Sequence, residues 1–390
     1  MSSIQIEPVT TKRQKNEFLD FLWKLYRNDP NWIPPLRQNQ WEMLNFSPHP
    51  FYLRNRIQCF LARREGQVVG RIAAIVNVGH NERYEEQRGF FGFFESVDDT
   101  EVSGALFAAA RQWFAEQGID KMRGPANPSL NHEVGILVDG FDSPPTFMMT
   151  YNPPYYEKLI RDFGFEKTQD MYAFWGHIDM LDSLDPKLQF IVDEAKKRFN
   201  LKLRPIDRRH FKEEVHTFLD IYNRSLVGTW GFVPIDKAEI DKMAADLRHL
   251  LVPELTSVCE VDGQVIGSVF GMLDYNPRIK QINGRLFPFG FARLLWNKQA
   301  IKKVRLISTN IVPEYQRWGI GLVILERLVP DIKKWGVQEV EFSWVLESNH
   351  LSRASLERGG AKKVKTYRMY DYEPANNETS AEQGTKSAPS

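Results

Sequence analysis

Leu306-Ile-Ser-Thr-Asn-Ile-Val-Pro-Glu-Tyr-Gln-Arg-Trp-Gly-Ile-Gly321 decides the fold of this chain. An apolar run stops at Pro313, turns, and restarts as a helical pattern from Ile320 to Trp335 with two glycines at its head. The first N–H groups of a helix lack internal partners and carry the positive end of its dipole. Glycines let that backbone come close to a ligand, so the strand–turn–helix junction suits a phosphate or pyrophosphate, with Gln316 and Arg317 as added side-chain donors. The competing reading is that Gly319 and Gly321 only allow close packing of the turn.

Working outward, the flanking sequence occurs twice. Glu65-Gly-Gln-Val-Val-Gly70 matches Asp262-Gly-Gln-Val-Ile-Gly267, 197 positions apart, and each copy lies between two apolar runs like a hairpin turn. Gly164-Phe-Glu-Lys and Gly360-Ala-Lys-Lys form a second echo 196 apart. A third pairs the helical stretch Val102 to Gln117 with Ile320 to Trp335, 218 apart. One duplicated α/β unit explains all three, with extra residues before that helix in the second copy and after it in the first. The expected organisation is a first unit over 1–180, a second over 181–373, and a solvated tail over 374–390 that lacks large apolar residues. Each unit alternates strands and helices, which predicts a mixed sheet with helices on both faces.

Composition narrows the function. The 390 residues carry 51 Lys+Arg against 50 Asp+Glu, a net charge of +1, so no global field favours nucleic acid and none is expected as a partner. Two cysteines without ligand spacing point to a reducing compartment and to no metal. No long apolar run or signal-type start is present, which predicts a cytoplasmic protein. The aromatic share, 13%, asks for large cores or a greasy site.

The order Gln316-Arg-Trp-Gly-Ile-Gly321 resembles the acyl-CoA-binding motif of the GCN5-related N-acetyltransferases (GNAT): Gln or Arg, two residues, Gly, one residue, Gly or Ala. Asn349, Ser352, Leu356, Glu357 and Gly360 resemble that family's last helix and the turn after it. The resemblance implies two tandem GNAT-like folds and acetyl-CoA or a longer acyl-CoA as co-substrate. It implies that backbone at Ile311 and Val312 meets the pantetheine and thioester, that the amides of Gln316, Arg317, Trp318, Gly319, Ile320 and Gly321 meet the pyrophosphate, and that Asn349 meets the cofactor arm. Two departures stand out. Leu356 occupies the place where the family often has the tyrosine that protonates the leaving thiolate, and Pro330 should kink or shorten the motif helix. In the first unit, Asp98, Asp99 and Glu101 fall opposite the phosphate loop, so that copy is expected to be degenerate and to bind no CoA.

The tandem layout also resembles a group of bacterial acyltransferases that includes GNAT-type ceramide synthases. It implies direct transfer to a small-molecule or lipid-like amine. Candidate proton acceptors are Asp274, Glu347 and His350; candidate donors to the thiolate are Ser355, Tyr367 and Tyr370. Acetyl transfer to a small soluble amine, aminoacyl-tRNA-dependent transfer and non-catalytic acyl-CoA binding are the alternatives. The insertion Tyr275 to Val304 carries Arg285-Leu-Phe-Pro-Phe-Gly-Phe-Ala-Arg-Leu-Leu-Trp296 followed by cations. It reads either as peripheral contact with the inner face of a membrane through 285–305 or as packing against the other unit. The other excess, 124–156, is too rich in Asn, Pro and Tyr to continue the sheet and is expected to form covering or functional loops. Nothing in the pattern selects an oligomeric state.

Overall fold

The computed structural model describes residues 3–182 and 185–374, so the expected tail, apart from Pro374, lies outside the described residues. The first half runs β1 (Gln5–Pro8), α1 (Lys12–Leu25), α2 (Arg37–Met43), β2 (Arg56–Arg64), β3 (Gln67–Val76), α3 (Val78–Tyr84), β4 (Arg88–Ser96), α4 (Thr100–Ala115), β5 (Lys121–Gly124), β6 (Ala126–Asn127), β7 (Glu133–Val134), β8 (Ile136–Asp139), α5 (Tyr156–Asp162) and β9 (Glu166–His177). The second runs α6 (Pro186–Arg198), β10 (Leu201–Arg204), α7 (Phe211–Ser225), α8 (Lys237–Leu247), β11 (Thr256–Val261), β12 (Gln264–Leu273), α9 (Asn276–Gln281), α10 (Gly290–Leu295), β13 (Lys303–Ile311), α11 (Ile320–Trp335), β14 (Glu339–Leu346), α12 (His350–Arg358) and β15 (Lys362–Tyr372).

The main sheet is ordered β1-β2-β3-β4-β5-β15-β9-β14-β13-β12-β11-β10, nearly a palindrome of two copies. Glu65-Gly66 and Asp262-Gly263 are the two-residue turns of equivalent hairpins, with all four φ values between 49° and 79°. That is the type I′ geometry a right-twisted hairpin needs. Period-two alternation sets the layers. On β3, Ala73 and Ile75 join Phe18 and Leu19 of α1 on one face, while Ile72, Ala74 and Val76 join Leu106 and Phe107 of α4 on the other. In the second half α11 buries Ile320, Val323, Ile324, Leu328 and Ile332, one helical stripe, in the core it shares with β11, β12 and β13.

The last strands cross over. β9 pairs with β14 of the second half, Phe342 opposite Phe174, and β15 pairs with β5 of the first, Tyr370 opposite Gly124. β9 and β15 also pair with each other antiparallel, so the sheet passes without a break from one half to the other.

Two expectations need correction. Part of the 124–156 excess does continue the sheet, because the apolar run Ile136-Leu-Val supplies β8, which pairs with β15. Pro330 does not end α11, which continues to Trp335.

Candidate functional site

β13 and β14 run parallel and in register only from Lys303–Glu339 to Leu306–Phe342. Beyond that they separate, and β13 carries a bulge where Gly271 faces Leu306 but Phe270 faces Ser308. The opening is part of a cavity of about 1850 Å³. Its wall is made by β13, the loop at the start of α11, α12, the 125–152 loops of the first half, and Phe287 and Phe291 of the insertion. Ordinary small-molecule pockets are about 300–1,000 Å³, so two substrates fit here together.

Gly319, at φ +76°, caps α11, whose first bonds run from Leu322 and Val323 back to the Gly319 carbonyl. The N–H groups of Arg317, Gly319, Ile320 and Gly321 have no acceptor among the described residues. Gln316, Arg317, Gly319 and Gly321 line the cavity. In the first half the same helix end is closed by its own chain: Asp99 caps α4, accepting from Glu101 and Val102, and pairs with Arg64 at 2.7 Å. The two helix starts thus differ in whether an anion from outside can reach them.

Several of these side chains are already engaged within the protein. The Gln316 side chain is not a free donor, because its Nε2 bonds the Ser225 and Ile311 carbonyls at 2.9 and 3.0 Å and braces the loop. Trp318 turns away from the cavity and lies under the Arg198 guanidinium of α6 at 3.7 Å. Val312 N–H is spent on the Ile266 carbonyl. Successive N–H groups alternate edges in a ladder, which leaves the Ile311 N–H on the edge that β14 has vacated. Gly319 also serves packing, since a Cβ there would lie 2.3 Å from Ile191 Cγ2 on α6. Asn349 lines the cavity, but its Oδ1 caps α12 by accepting from Ser352 N–H.

Among the candidate proton carriers, only Ser355 lines the cavity. Asp274 is buried away from it, accepts from Phe147 N–H and Asn276 N–H, and ties the first-half loop to the second; burial raises its pKa to about 6. Glu347 braces β14 on β9 by accepting from Asp170 N–H and Lys167 Nζ. Tyr367 is fully buried, edge-on to Trp344, and its hydroxyl has no partner among the described residues. Tyr370 donates to Glu157, and His350 sits exposed at the head of α12. Asp274, Glu347, Tyr367 and Tyr370 are thus held by tertiary partners or by burial outside the cavity wall.

Sequence reasoning passed over Glu133. On β7, opposite Asn127, it lines the cavity with no hydrogen-bond partner among the described residues. Burial pushes its carboxyl up to about 7, with the Arg305 guanidinium pulling the other way. Beside it His132 bonds Ser129 at 2.8 Å and is held neutral, with burial lowering its pKa to about 4. A lone acid between an Asn- and Pro-rich loop and the apolar Val134-Gly-Ile-Leu run was the available signal. Among the described residues no cluster of His, Cys, Asp and Glu is arranged to hold a metal ion.

No family model matches the chain. It is 35% identical over 372 residues to "Protein YghO" of Escherichia coli (strain K12), covering 93% of this chain and 94% of that one. It is 31% identical over 377 residues to the bacterial ceramide synthase of Caulobacter vibrioides, covering 95% and 97%. Among solved structures, a tandem GNAT protein from the clavulanic acid biosynthesis pathway superposes over 95% of this chain and 98% of its own, with a TM-score of 0.53 and 11% identity, which is a likeness of fold. Given this similarity over nearly its whole length, the chain belongs to the family of these two bacterial relatives, and it has the fold of tandem GNAT proteins.

Proposed function

We propose that this protein transfers a long acyl group from acyl-CoA directly to the amine of a lipid-like acceptor. The observation that carries the reading is one continuous cavity. It joins the free amides at the head of α11 to Glu133 and to apolar walls far larger than an acetyl group needs. The name of the Caulobacter relative, a ceramide synthase, supports a long-chain amine as acceptor.

In this reading the amides of Arg317, Gly319, Ile320 and Gly321 hold the pyrophosphate, and the Ile311 N–H polarises the thioester oxygen. The acceptor nitrogen attacks the thioester carbon, forming the amide bond as the carbon–sulfur bond breaks. Glu133 takes the proton from the nitrogen. Ser355, on α12 beside Leu356, donates a hydrogen bond to the departing thiolate, and the proton that left the nitrogen balances the thiol released.

The test is thiol release, with product mass, for acyl-CoAs from acetyl to stearoyl against short amines and a long-chain amino alcohol. Turnover rising with the chain length of both partners is expected. Silence across the whole panel overturns the proposal, and acetyl transfer to short amines alone would replace it with a conventional acetyltransferase.

A further inference from the structure

We propose that the tip of the insertion, residues 285–298, is a docking surface for an anionic lipid bilayer. Phe287, Phe289 and Trp296 are 76%, 73% and 78% exposed, a clustering of large apolar side chains that water disfavours. The tip is nevertheless firmly held. Arg278 donates to the carbonyls of Leu294, Trp296 and Asn297, and Phe291 N–H bonds the Leu286 carbonyl at 2.7 Å. At its base Asn283 accepts from Trp23 Nε1 at 2.7 Å, and the Gly284 carbonyl accepts from Arg37 N–H. The base of the segment thus packs on the first half, and its tip is presented outward.

Charge identifies the occupant. From Tyr275 to Pro313 there is no Asp or Glu, and Arg285 and Arg293 are exposed within the same segment as the aromatic tip. Aromatic side chains at an interface with cations beside them match a bilayer of anionic headgroups, each near-surface cation strengthening partition about fivefold. The surface is also continuous with the cavity, since Phe287 and Phe291 belong to both. A long-chain substrate can therefore pass from the bilayer into the cavity without crossing water. That passage rests on the acyl-transfer reading, whereas docking does not.

The experiment is co-sedimentation of the full chain with vesicles of phosphatidylcholine, with and without phosphatidylglycerol. The variants Phe289→Ser/Trp296→Ser and Arg285→Glu/Arg293→Glu change exposed residues that do not line the cavity. Wild type is expected to bind only the anionic vesicles and to be released by salt. Each double variant should bind at least tenfold more weakly while retaining its unfolding temperature and its turnover of a short acyl-CoA with a water-soluble amine. Wild type staying in solution at low salt, or either double variant binding like wild type, overturns the proposal. So does a wild-type dimer that the aromatic variant turns into a monomer, which would assign the tip to a second copy of the chain. Because docking is read without turnover, its failure and the failure of acyl transfer are separable.

Discussion

The two glycines of the α11 loop should fail in different ways. Gly319→Ala forces a β-carbon onto φ +76° and to within 2.3 Å of Ile191 Cγ2. A left-handed non-glycine residue costs about 1–2 kcal/mol, and overpacking against a held side chain adds about 1–3 kcal/mol. Gly319→Ala should therefore lose about 2–5 kcal/mol in urea unfolding. Combining it with Ile191→Ala should recover the steric share and leave the backbone share, which appears as a coupling of about 1–3 kcal/mol in the double-mutant cycle. Gly321 has no such strain, and its β-carbon would meet only Thr309 Cγ2 at 3.4 Å. Gly321→Ala should keep or slightly raise stability, by up to about 1 kcal/mol. Gly321→Glu places a carboxylate where the free amides await phosphate. At a separation of about 5 Å and an effective dielectric near 20 the repulsion is about 3 kcal/mol, about a hundredfold in Kd. Calorimetry with CoA reads that loss. A Gly319→Ala protein within about 0.5 kcal/mol of wild type, or a Gly321→Glu protein that binds CoA normally, would refute the assignment of packing to one glycine and phosphate binding to the other.

Glu133→Gln should lower kcat/KM by about 10²–10⁴ and abolish a rising limb near pH 7, since the carboxyl must be ionised to accept the proton and its pKa is about 7. A limb that survives in the variant belongs to the acceptor amine instead. Because the folded pKa is raised, the native state favours protonated Glu133, and stability should fall as pH rises from the ordinary carboxyl range towards 7; the Gln variant should lose that dependence in unfolding titrations. Tyr367→Phe removes a buried hydroxyl with no partner among the described residues, so it should stabilise by about 1–3 kcal/mol with turnover intact. Lost turnover at unchanged melting temperature would restore Tyr367 as a proton donor. Asp99→Ala should cost about 1 kcal/mol through the lost α4 cap, read by urea unfolding; no change would mean that the cap bonds are not formed in solution.

Turn chemistry and repeat spacing made the two-copy fold legible. Asp262-Gly263 and Glu65-Gly66 permit few other conformations, and the loop at Gly319 declares the helix start that follows it. The exchange of β9 and β15 was not legible, for a physical reason. The two strands echo each other, so no local pattern states which should sit beside β5 and which beside β14. Helix α6 carried its own signals, Asp185-Pro186 at its start and Lys196-Lys197-Arg198 at its end. Proton carriers were the least legible. Sequence reveals that Asp274 and Glu347 are ionisable, but Phe147 N–H and Lys167, which occupy them, arrive from more than a hundred residues away. Glu133 stands out only once the cavity is seen around it.

The strand exchange explains why a half without an open phosphate loop is retained. Each half lends its last strand to the other, and the first half also supplies Glu133 and the Met148–Tyr151 wall of the cavity. Cutting the chain between Ser183 and Leu184 and producing the pieces separately would strip β14 of its β9 neighbour from Glu339 to Leu346, and β15 of both β5 and β9. Bare strand edges of that length, flanked by apolar faces, are templates for aggregation. Either piece alone is therefore expected to be insoluble or unfolded, while the two made together should form one complex that elutes at the size of the intact chain and unfolds in a single transition. A first half that is monomeric and cooperatively folded by itself would show that β9 is dispensable to it and β15 replaceable, and would sever the link between exchanged strands and a shared site.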